Sequence, residues 1–208
     1  MIGWLRHTGW LVLIGLVASC ARESGPKAMN FQVDASLLGE PYVDRELKVT
    51  FRAPRQLVMA PADFLKGAQA EVESRPVNDP VLDLEPTEIY SDPSGEMRVF
   101  LSRFRVAPKD GLSASWRGRY EAAARAKILK ADPAAKIEVD NYAIGPVPVL
   151  QLKVTGKGYT NFRLVCQAEG DPPFQLDYVI PTARYAEMAR AIESSIGSLV
   201  FHRLAGAP

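Results

Sequence analysis

The sequence predicts an α+β domain in which an antiparallel β-sheet is flanked by helices. Short segments that alternate apolar and polar residues follow one another in the C-terminal half, with tight turns between them. Two longer segments, residues 114–131 and the residues from Pro181 onwards, repeat their apolar residues at helical spacing. Hydrophobic residues make up 47% of the chain and charged residues 24%, which is typical of a folded rather than a disordered protein.

The first twenty residues have the order of an export signal. Arg6 lies in a short initial segment, residues 9–18 are apolar and uncharged, and the small residue Ser19 precedes Cys20. A membrane-spanning helix needs about 20 apolar residues, so this shorter run favours a signal peptide over a membrane anchor. An ordinary secretory peptide with an incidental cysteine is the alternative.

The end of this segment, Leu16-Val17-Ala18-Ser19-Cys20, closely resembles the lipobox of bacterial lipoproteins. The resemblance implies that residues 1–19 are a signal peptide and that Cys20 is the lipid attachment site. It also implies that acyl chains hold the mature protein at the bacterial cell envelope. Residue 21 is Ala rather than Asp, which in that family favours the outer membrane, facing the periplasm.

The remaining chain divides into a tether and one domain. Residues 20–45 contain Gly, Pro, Ser and scattered charges with little periodicity, so we expect a lipidated cysteine followed by a flexible tether. The single α+β domain is expected over residues 46–203. It begins with a strand at residues 47–51, which Pro54 ends, and a short helix at residues 60–68.

The central part of the domain combines an irregular segment with a strand and a helix. Residues 74–93 are rich in Pro and Asp and predict a long excursion, after which Met97 to Val106 predicts a strand with both faces covered. Residues 114–131 predict a helix with Ser113 or Ser115 as its N-cap.

Three strands and a final helix complete the predicted domain. The strands are expected at residues 150–154, 162–167 and 174–180, with turns at residues 156–158 and 170–173. Pro181 begins the last helix, because a missing N–H costs little at a first helical position. The apolar stripe of this helix consists of Tyr185, Met188, Ala189, Ile192, Ile196 and Leu199.

This order of elements resembles the PsbP/Mog1-like fold over roughly residues 45–201. The resemblance rests on an early strand ending in Phe51-Arg52-Ala53-Pro54, a middle helix and a three-strand meander. It also rests on the closing segment from Phe174 to Pro181, which leads into a helix containing Ile192 to Leu199. It implies an α/β/α sandwich and a role in binding or assembly, since members of that group are mostly accessory proteins. A cystatin-like or other α+β sheet with a packed helix is the alternative.

Few residues could support catalysis. Once His7 leaves with the signal, His202 is the one remaining histidine, and we expect it at the surface. Cys166 shares a strand face with Phe162 and Leu164, which predicts a buried, inert thiol. No motif supports a nucleophile pair between Cys166 and His202. We therefore expect no enzymatic activity and no cofactor.

Three further groups of residues have a simple structural interpretation. Asp79, Asp83, Glu85 and Glu88 could bind Ca²⁺ weakly, but a solvated acidic loop is favoured because the spacing matches no EF-hand. Residues 154–159 contain glycines and a lysine but predict a hairpin turn rather than a P-loop. Ser194 and Ser195 lie in a predicted helix, which favours close packing or solvent exposure.

Basic residues recur on one predicted strand and one predicted helix. They are Arg98, Arg103, Arg105, Arg117, Arg119, Arg125, Lys127 and Lys130. They could form a positive patch for lipid headgroups, polysaccharide or protein, although an ordinary solvated surface is favoured. Lys and Arg total 25 and Asp and Glu 24, so loss of Arg6 with the signal leaves the mature chain neutral. We therefore expect no binding to nucleic acid.

Three functions follow from these observations. The favoured one is a non-catalytic membrane lipoprotein that binds a partner protein or supports an envelope complex. The second is a carrier or sensor of a small ligand, with a pocket between sheet and helix that the aromatic residues Phe100, Phe104, Trp116 and Tyr120 could line; the alternative is that these residues are core. A hydrolase is the third, and it would need converging polar groups that the sequence does not display. The oligomeric state stays open.

Overall fold

The computed structural model describes residues 26–77, 79–108 and 111–202. Its helices are α1 (Ala62–Glu73), α2 (Ala114–Ala131) and α3 (Tyr185–Gly197), with single 3-10 turns at Ala35–Leu37, Pro80–Leu82 and Thr182–Arg184. Its strands are β1 (Lys27–Ala28), β2 (Leu38–Asp44), β3 (Val49–Pro54), β4 (Val58–Met59), β5 (Leu84–Ser91), β6 (Arg98–Phe104), β7 (Lys136–Ile144), β8 (Val147–Thr155), β9 (Tyr159–Cys166), β10 (Phe174–Pro181) and β11 (Val200–Phe201).

An eight-stranded sheet forms the middle layer, in the order β1-β7-β8-β9-β10-β6-β5-β4. Its strands are antiparallel except for the β1–β7 pair, which is parallel. A separate three-stranded sheet has the order β11-β3-β2. The predicted antiparallel sheet flanked by helices is confirmed.

Two hydrophobic cores cover the two faces of the large sheet. On one face, α3 and β3 pack over a cluster that includes Phe51, Leu164, Leu176 and Ile192. On the other face, α2 packs through Trp116, Tyr120 and Ala124. Because both faces are covered, β9 and β10 are buried almost throughout and β6 has buried residues on both faces, as predicted for this strand, although β6 ends at Phe104 rather than at residue 106.

Helix α2 and the meander agree with the sequence prediction because their periodicity is local. The Ser113 hydroxyl accepts a hydrogen bond from the Trp116 N–H at 3.3 Å, which confirms the predicted N-cap. The β8–β9 hairpin closes through Gly156 to Gly158, where Gly158 has a φ of +86°. The residues 154–159 therefore form the predicted hairpin connection.

The tether predicted over residues 20–45 is wrong for residues 26–45. In this stretch β1 pairs with β7, β2 pairs with β3, and Leu38 is only 2% exposed. The side chain of Asp44, also buried, accepts hydrogen bonds from the N–H groups of Glu46 and Leu47. The segment is ordered by contacts distant in sequence rather than by its own periodicity, so the domain begins well before residue 46.

Other elements also differ from the prediction. The first strand is β3 and begins at Val49, since residues 47–48 belong to the turn before it, and α1 extends past residue 68. The predicted excursion at residues 74–93 contains β5, in which Pro86 is tolerated because the pairing with β6 shifts register there. Strand β7 was missing from the prediction, and a 3-10 turn separates Pro181 from α3.

Candidate functional site

A cavity of about 400 Å³ lies at the β1–β7 edge of the large sheet, between the sheet and α3. Its deeper walls include the buried residues Tyr142, Phe162 and Ile192. Exposed charged residues, Asp140 and Glu193, stand at its rim. A volume of this size falls in the range of small-molecule and side-chain pockets.

The N-terminal segment, residues 26–34, builds one wall of the cavity. The N–H of Met29 donates to the carbonyl of Ala143 at 2.8 Å, and the Phe31 ring lies 6.0 Å from the Tyr142 ring between centroids. The segment then crosses the end of α3 at Gly197, where a Cβ atom would lie 2.4 Å from the Cβ of Phe31. Only glycine leaves room for this crossing.

Polar groups inside the cavity are held in place by the sheet. The Tyr142 hydroxyl donates to Gln151 Oε1 at 2.8 Å, and burial raises the pKa of Tyr142, so this hydroxyl stays protonated and acts as a donor. Across the cavity, the rings of Phe162 and Tyr185 lie 5.6 Å apart between centroids. The site therefore combines aromatic walls with a fixed hydrogen-bonding pair.

Among the described residues, part of the backbone edge of strand β7 next to this cavity has no partner strand. Residues 136–144 all pair with β8, and of the described strands only β1 lies on the other side, where it pairs with Tyr142 and Ala143. The Ala143 carbonyl points towards β1, where it accepts from Met29. Because backbone groups alternate in direction along a strand, Ile137, Val139 and Asn141 direct their N–H and C=O groups the same way, away from β8.

This arrangement can bind a ligand or a peptide through hydrogen bonds and aromatic contacts. It offers backbone hydrogen-bonding groups, aromatic walls and exposed carboxylates, and its described lining contains no His or Cys. This site was not predicted from the sequence, because strand β7 was not predicted. The signal was present, since Lys136 to Asp140 alternates polar and apolar residues strictly.

The structure describes Cys166 and His202 but not Cys20. Cys20 and the signal peptide lie outside the described residues. Cys166 is 0% exposed and burial raises its pKa, which confirms the predicted buried, inert thiol. His202 is exposed as predicted and its Nε2 lies 2.6 Å from the hydroxyl of Thr50, so its hydrogen-bond partner is not Cys166.

The acidic residues that were considered for Ca²⁺ serve structural roles. Asp79 accepts from the Val81 N–H, Asp83 pairs with Arg105 at 3.4 Å, and Glu85 pairs with Arg103 at 2.8 Å. They are not a solvated acidic loop, because Glu85 and Glu88 are buried in β5. Within the described ranges no three His, Cys, Asp or Glu side chains form a group that could hold a metal ion.

Arg103 and Arg105 from the predicted strand, and Arg125 from the helix, are likewise paired with carboxylates. Arg103 also contacts Glu46 at 2.9 Å, and Arg125 on α2 pairs with Glu121 at 2.8 Å. Carboxylates thus neutralise part of the suggested positive patch, which favours the interpretation as an ordinary surface.

The aromatic residues considered for a ligand pocket belong mainly to the second core. The Phe104 ring meets the Trp116 ring at 5.3 Å, and the Trp116 and Tyr120 rings stack at 5.2 Å. All three are buried, so the core interpretation is confirmed for them, whereas Phe100 is half-buried. The cavity lies on the opposite face of the sheet.

A buried polar network links α2 to the face of the sheet that α2 covers. The Tyr120 hydroxyl donates to Gln175 Oε1 at 2.5 Å, and Gln175 in turn donates to Asp177. Arg163 donates to Asp177 at 2.9 Å, so the buried carboxylate is paired with a charge. This network fixes the position of α2 over the sheet.

Ser194 and Ser195 are fully buried, which confirms close packing. Ser194 Oγ accepts from the Asp34 N–H at 3.1 Å, whereas Ser195 Oγ donates to the Arg52 carbonyl at 2.6 Å. The Ser195 hydroxyl also lies 2.9 Å from the Tyr178 hydroxyl. The two serines therefore join α3 to the N-terminal segment, β3 and β10.

Comparison with known proteins supports the fold alone. The structure is similar to the solution structure of cyanobacterial PsbP (CyanoP) from Synechocystis sp. PCC 6803, with a TM-score of 0.51 and 11% sequence identity. The match covers 78% of this chain and 92% of that chain. No family model matches the sequence. No curated protein matches it either. The domain thus has a PsbP-like fold, as the order of elements predicted.

No helix within the described ranges is long and apolar enough to cross a membrane.

Proposed function

We propose that this protein is a non-catalytic lipoprotein of the bacterial cell envelope that binds a partner protein. In this proposal acyl chains on Cys20 hold the protein at a membrane, most simply the outer membrane facing the periplasm. The PsbP-like domain then presents the uncovered edge of β7 and the adjacent cavity to the partner. That edge is the observation on which partner binding rests, because unpaired strand edges are templates for association.

Three features support the proposal. The lipobox-like sequence ending at Cys20 supports membrane attachment. Among the described residues, the uncovered backbone groups are those of Ile137 and Val139 and the N–H of Asn141, and the side chains there are half-buried or exposed. The cavity beside them has a polar, charged rim rather than a nucleophile–base pair, which is consistent with binding.

The test is crosslinking in envelopes of the source bacterium with the full-length, C-terminally tagged protein. We expect a partner that is recovered reproducibly with the wild type and with Val139→Thr, which keeps the backbone N–H. Val139→Pro removes that N–H without removing a bond to β8, so the partner should be lost. Equal recovery with both variants would contradict the use of this edge.

Membrane attachment has its own readout. Mass spectrometry of the mature protein should find an N-terminus at Cys20 that carries diacylglycerol. A Cys20→Ser variant should leave the detergent phase in a two-phase partition with detergent. A protein that begins at Met1, or an unmodified Cys20, would refute the anchoring part of the proposal.

The cavity favours a second candidate, a carrier or sensor of a small ligand. It lies between the sheet and α3, on the face opposite the aromatic residues that the sequence suggested, with a volume of about 400 Å³. Native mass spectrometry of the protein purified from envelopes tests it. A retained small molecule that is lost in Phe162→Trp, a change that fills the cavity, would favour a carrier; its absence in the wild type would favour the protein-binding role.

A further inference from the structure

Among the described residues, part of the β7 edge has no neighbouring strand. Ile137 and Val139 each direct one N–H and one C=O away from β8, and Asn141 directs its N–H the same way, while its C=O faces the Lys27 N–H in the β1 register. The side chains of Ile137 and Val139 are half-buried against the α2 core, and Asn141 is exposed. Such groups are satisfied by water or by another strand, because a backbone polar group is costly to leave unpaired.

The neighbouring residues show that this edge accepts a strand. β1 occupies the same edge at Tyr142 and Ala143, and the N–H of Met29 donates to the Ala143 carbonyl at 2.8 Å. The described chain begins at Pro26, whose backbone faces away from β7 in this parallel ladder, so among the described residues no segment pairs with β7 before Asn141. An added segment would lie end to end with β1.

Side chains of an added strand would alternate between two different surroundings. On one side of the sheet they would lie beside Ile137 and Val139, at the margin of the α2 core. On the other side they would lie beside Asp140 and Tyr142 and would enter the cavity below α3. One face of the segment would therefore be aliphatic, and the other would meet aromatic rings and charges.

The charged groups at the cavity rim favour particular side chains on the face of the added segment that enters the cavity. Two exposed carboxylates, Asp140 and Glu193, stand at the rim against one ammonium group, that of Lys27. Glu138, the next residue on this face of β7, lies 3.6 Å from Lys153, whose ammonium group also lies 5.8 Å from the centre of the Tyr185 ring. A cationic side chain between aromatic walls would gain both charge attraction and cation–π contact.

We propose that the partner contributes an extended segment that adds to β7 at residues 137–141 as a further strand of the large sheet. The segment carries Lys or Arg, with aromatic residues, at alternate positions facing the cavity, and aliphatic residues at the positions between. This inference rests on the proposed protein-binding function and specifies the chemistry of the partner at the same site.

The test selects peptides from a phage-displayed library of random twelve-residue sequences on the full-length protein in detergent micelles. Enriched peptides should alternate basic or aromatic residues with aliphatic ones. Fluorescence anisotropy with the synthetic peptide should show binding weakened by about tenfold or more in Val139→Pro, with Val139→Thr unchanged, because backbone hydrogen bonds are lost. Two further peptides carry N-methyl groups on either the odd or the even backbone nitrogens. Only one of the two should bind more weakly, because only alternate backbone N–H groups of an added strand face β7.

Charge is tested with the matched variants Asp140→Asn and Glu193→Gln. Together they should weaken binding of the selected peptide several-fold and remove the preference for Lys or Arg in a repeated selection. Enriched peptides without alternation, or binding that both N-methylated registers leave intact, would overturn strand addition. If the crosslinked partner is nevertheless lost in Val139→Pro, the protein-binding function stands and this mode of recognition fails.

Discussion

Replacement of Gly197 by Ala tests whether the N-terminal segment is part of the domain. Gly197 is the last residue of α3, and the segment at residues 31–33 crosses it closely. A Cβ atom at this position would lie 2.4 Å from the Phe31 Cβ and 2.9 Å from Val33 Cγ2. The first of these atoms is fixed to the backbone, so the segment has to move away from α3.

The magnitude follows from the contacts that such a movement would break. The Phe31–Tyr142 ring pair contributes about 1 kcal/mol, and the hydrogen bond from Asp34 to Ser194 contributes about another 1 kcal/mol. Lost burial of Phe31 adds about 1 kcal/mol. Alanine regains up to about 1 kcal/mol of helix propensity. We therefore expect Gly197→Ala to lower the free energy of unfolding by about 2 kcal/mol.

Urea unfolding of the full-length protein in detergent, followed by tryptophan fluorescence, measures this difference. Gly118→Ala is the matched control, since a Cβ at that α2 position would meet nothing within 4 Å. It should raise the free energy of unfolding by about 0.5–1 kcal/mol. A Gly197→Ala protein that is as stable as the wild type, or is stabilised like the control, would refute the packing of this segment on α3.

Three further predictions concern the interior. Tyr120→Phe should lower the free energy of unfolding by about 1–3 kcal/mol, measured by urea unfolding, because Gln175 Oε1 loses its buried donor; an unchanged protein would mean that the network is dispensable. Burial raises the pKa of Glu88, so its stabilising effect is present at low pH and lost as the pH rises through that pKa. Glu88→Gln should therefore raise the free energy of unfolding at neutral pH but not below about pH 4. An equal change in the free energy of unfolding at both pH values would contradict this explanation. With a thiol reagent, Cys166 should not react in the native protein because it is buried. The unfolded protein should show one reactive thiol in total if Cys20 carries lipid and two if it does not.

The parts of the fold that sequence periodicity determines were predictable. Helix α2 and strands β8, β9 and β10 each carry their own alternation or helical stripe, so local patterns were sufficient. Strand β7 has an equally clear pattern from Lys136 to Asp140, so it was predictable from the sequence although it was not predicted. The Gly145-Pro146 turn that follows it, with Gly145 at a φ of +56°, is a further local signal.

Other features depend on contacts that no local pattern reveals. The segment before residue 46 is held by α3, β7 and β3, and the need for glycine at residue 197 becomes visible only when Phe31 is placed beside it. Glu85 and Glu88 suggested an exposed loop because acids are seldom buried, yet Arg103 pairs with the first of them. The candidate site belongs to this group, since an uncovered edge depends on which strand lies beside which.

Residue-resolved amide hydrogen exchange along β7, followed by NMR on the full-length protein in detergent micelles, tests the uncovered edge most directly. In the free protein the amides of Ile137, Val139 and Asn141 should exchange rapidly, while those of Glu138 and Asp140, which pair with β8, should be protected. Adding the partner or a selected peptide should protect the first three. Slow exchange of those three amides in the free protein, or fast exchange in the complex, would contradict strand addition at this edge.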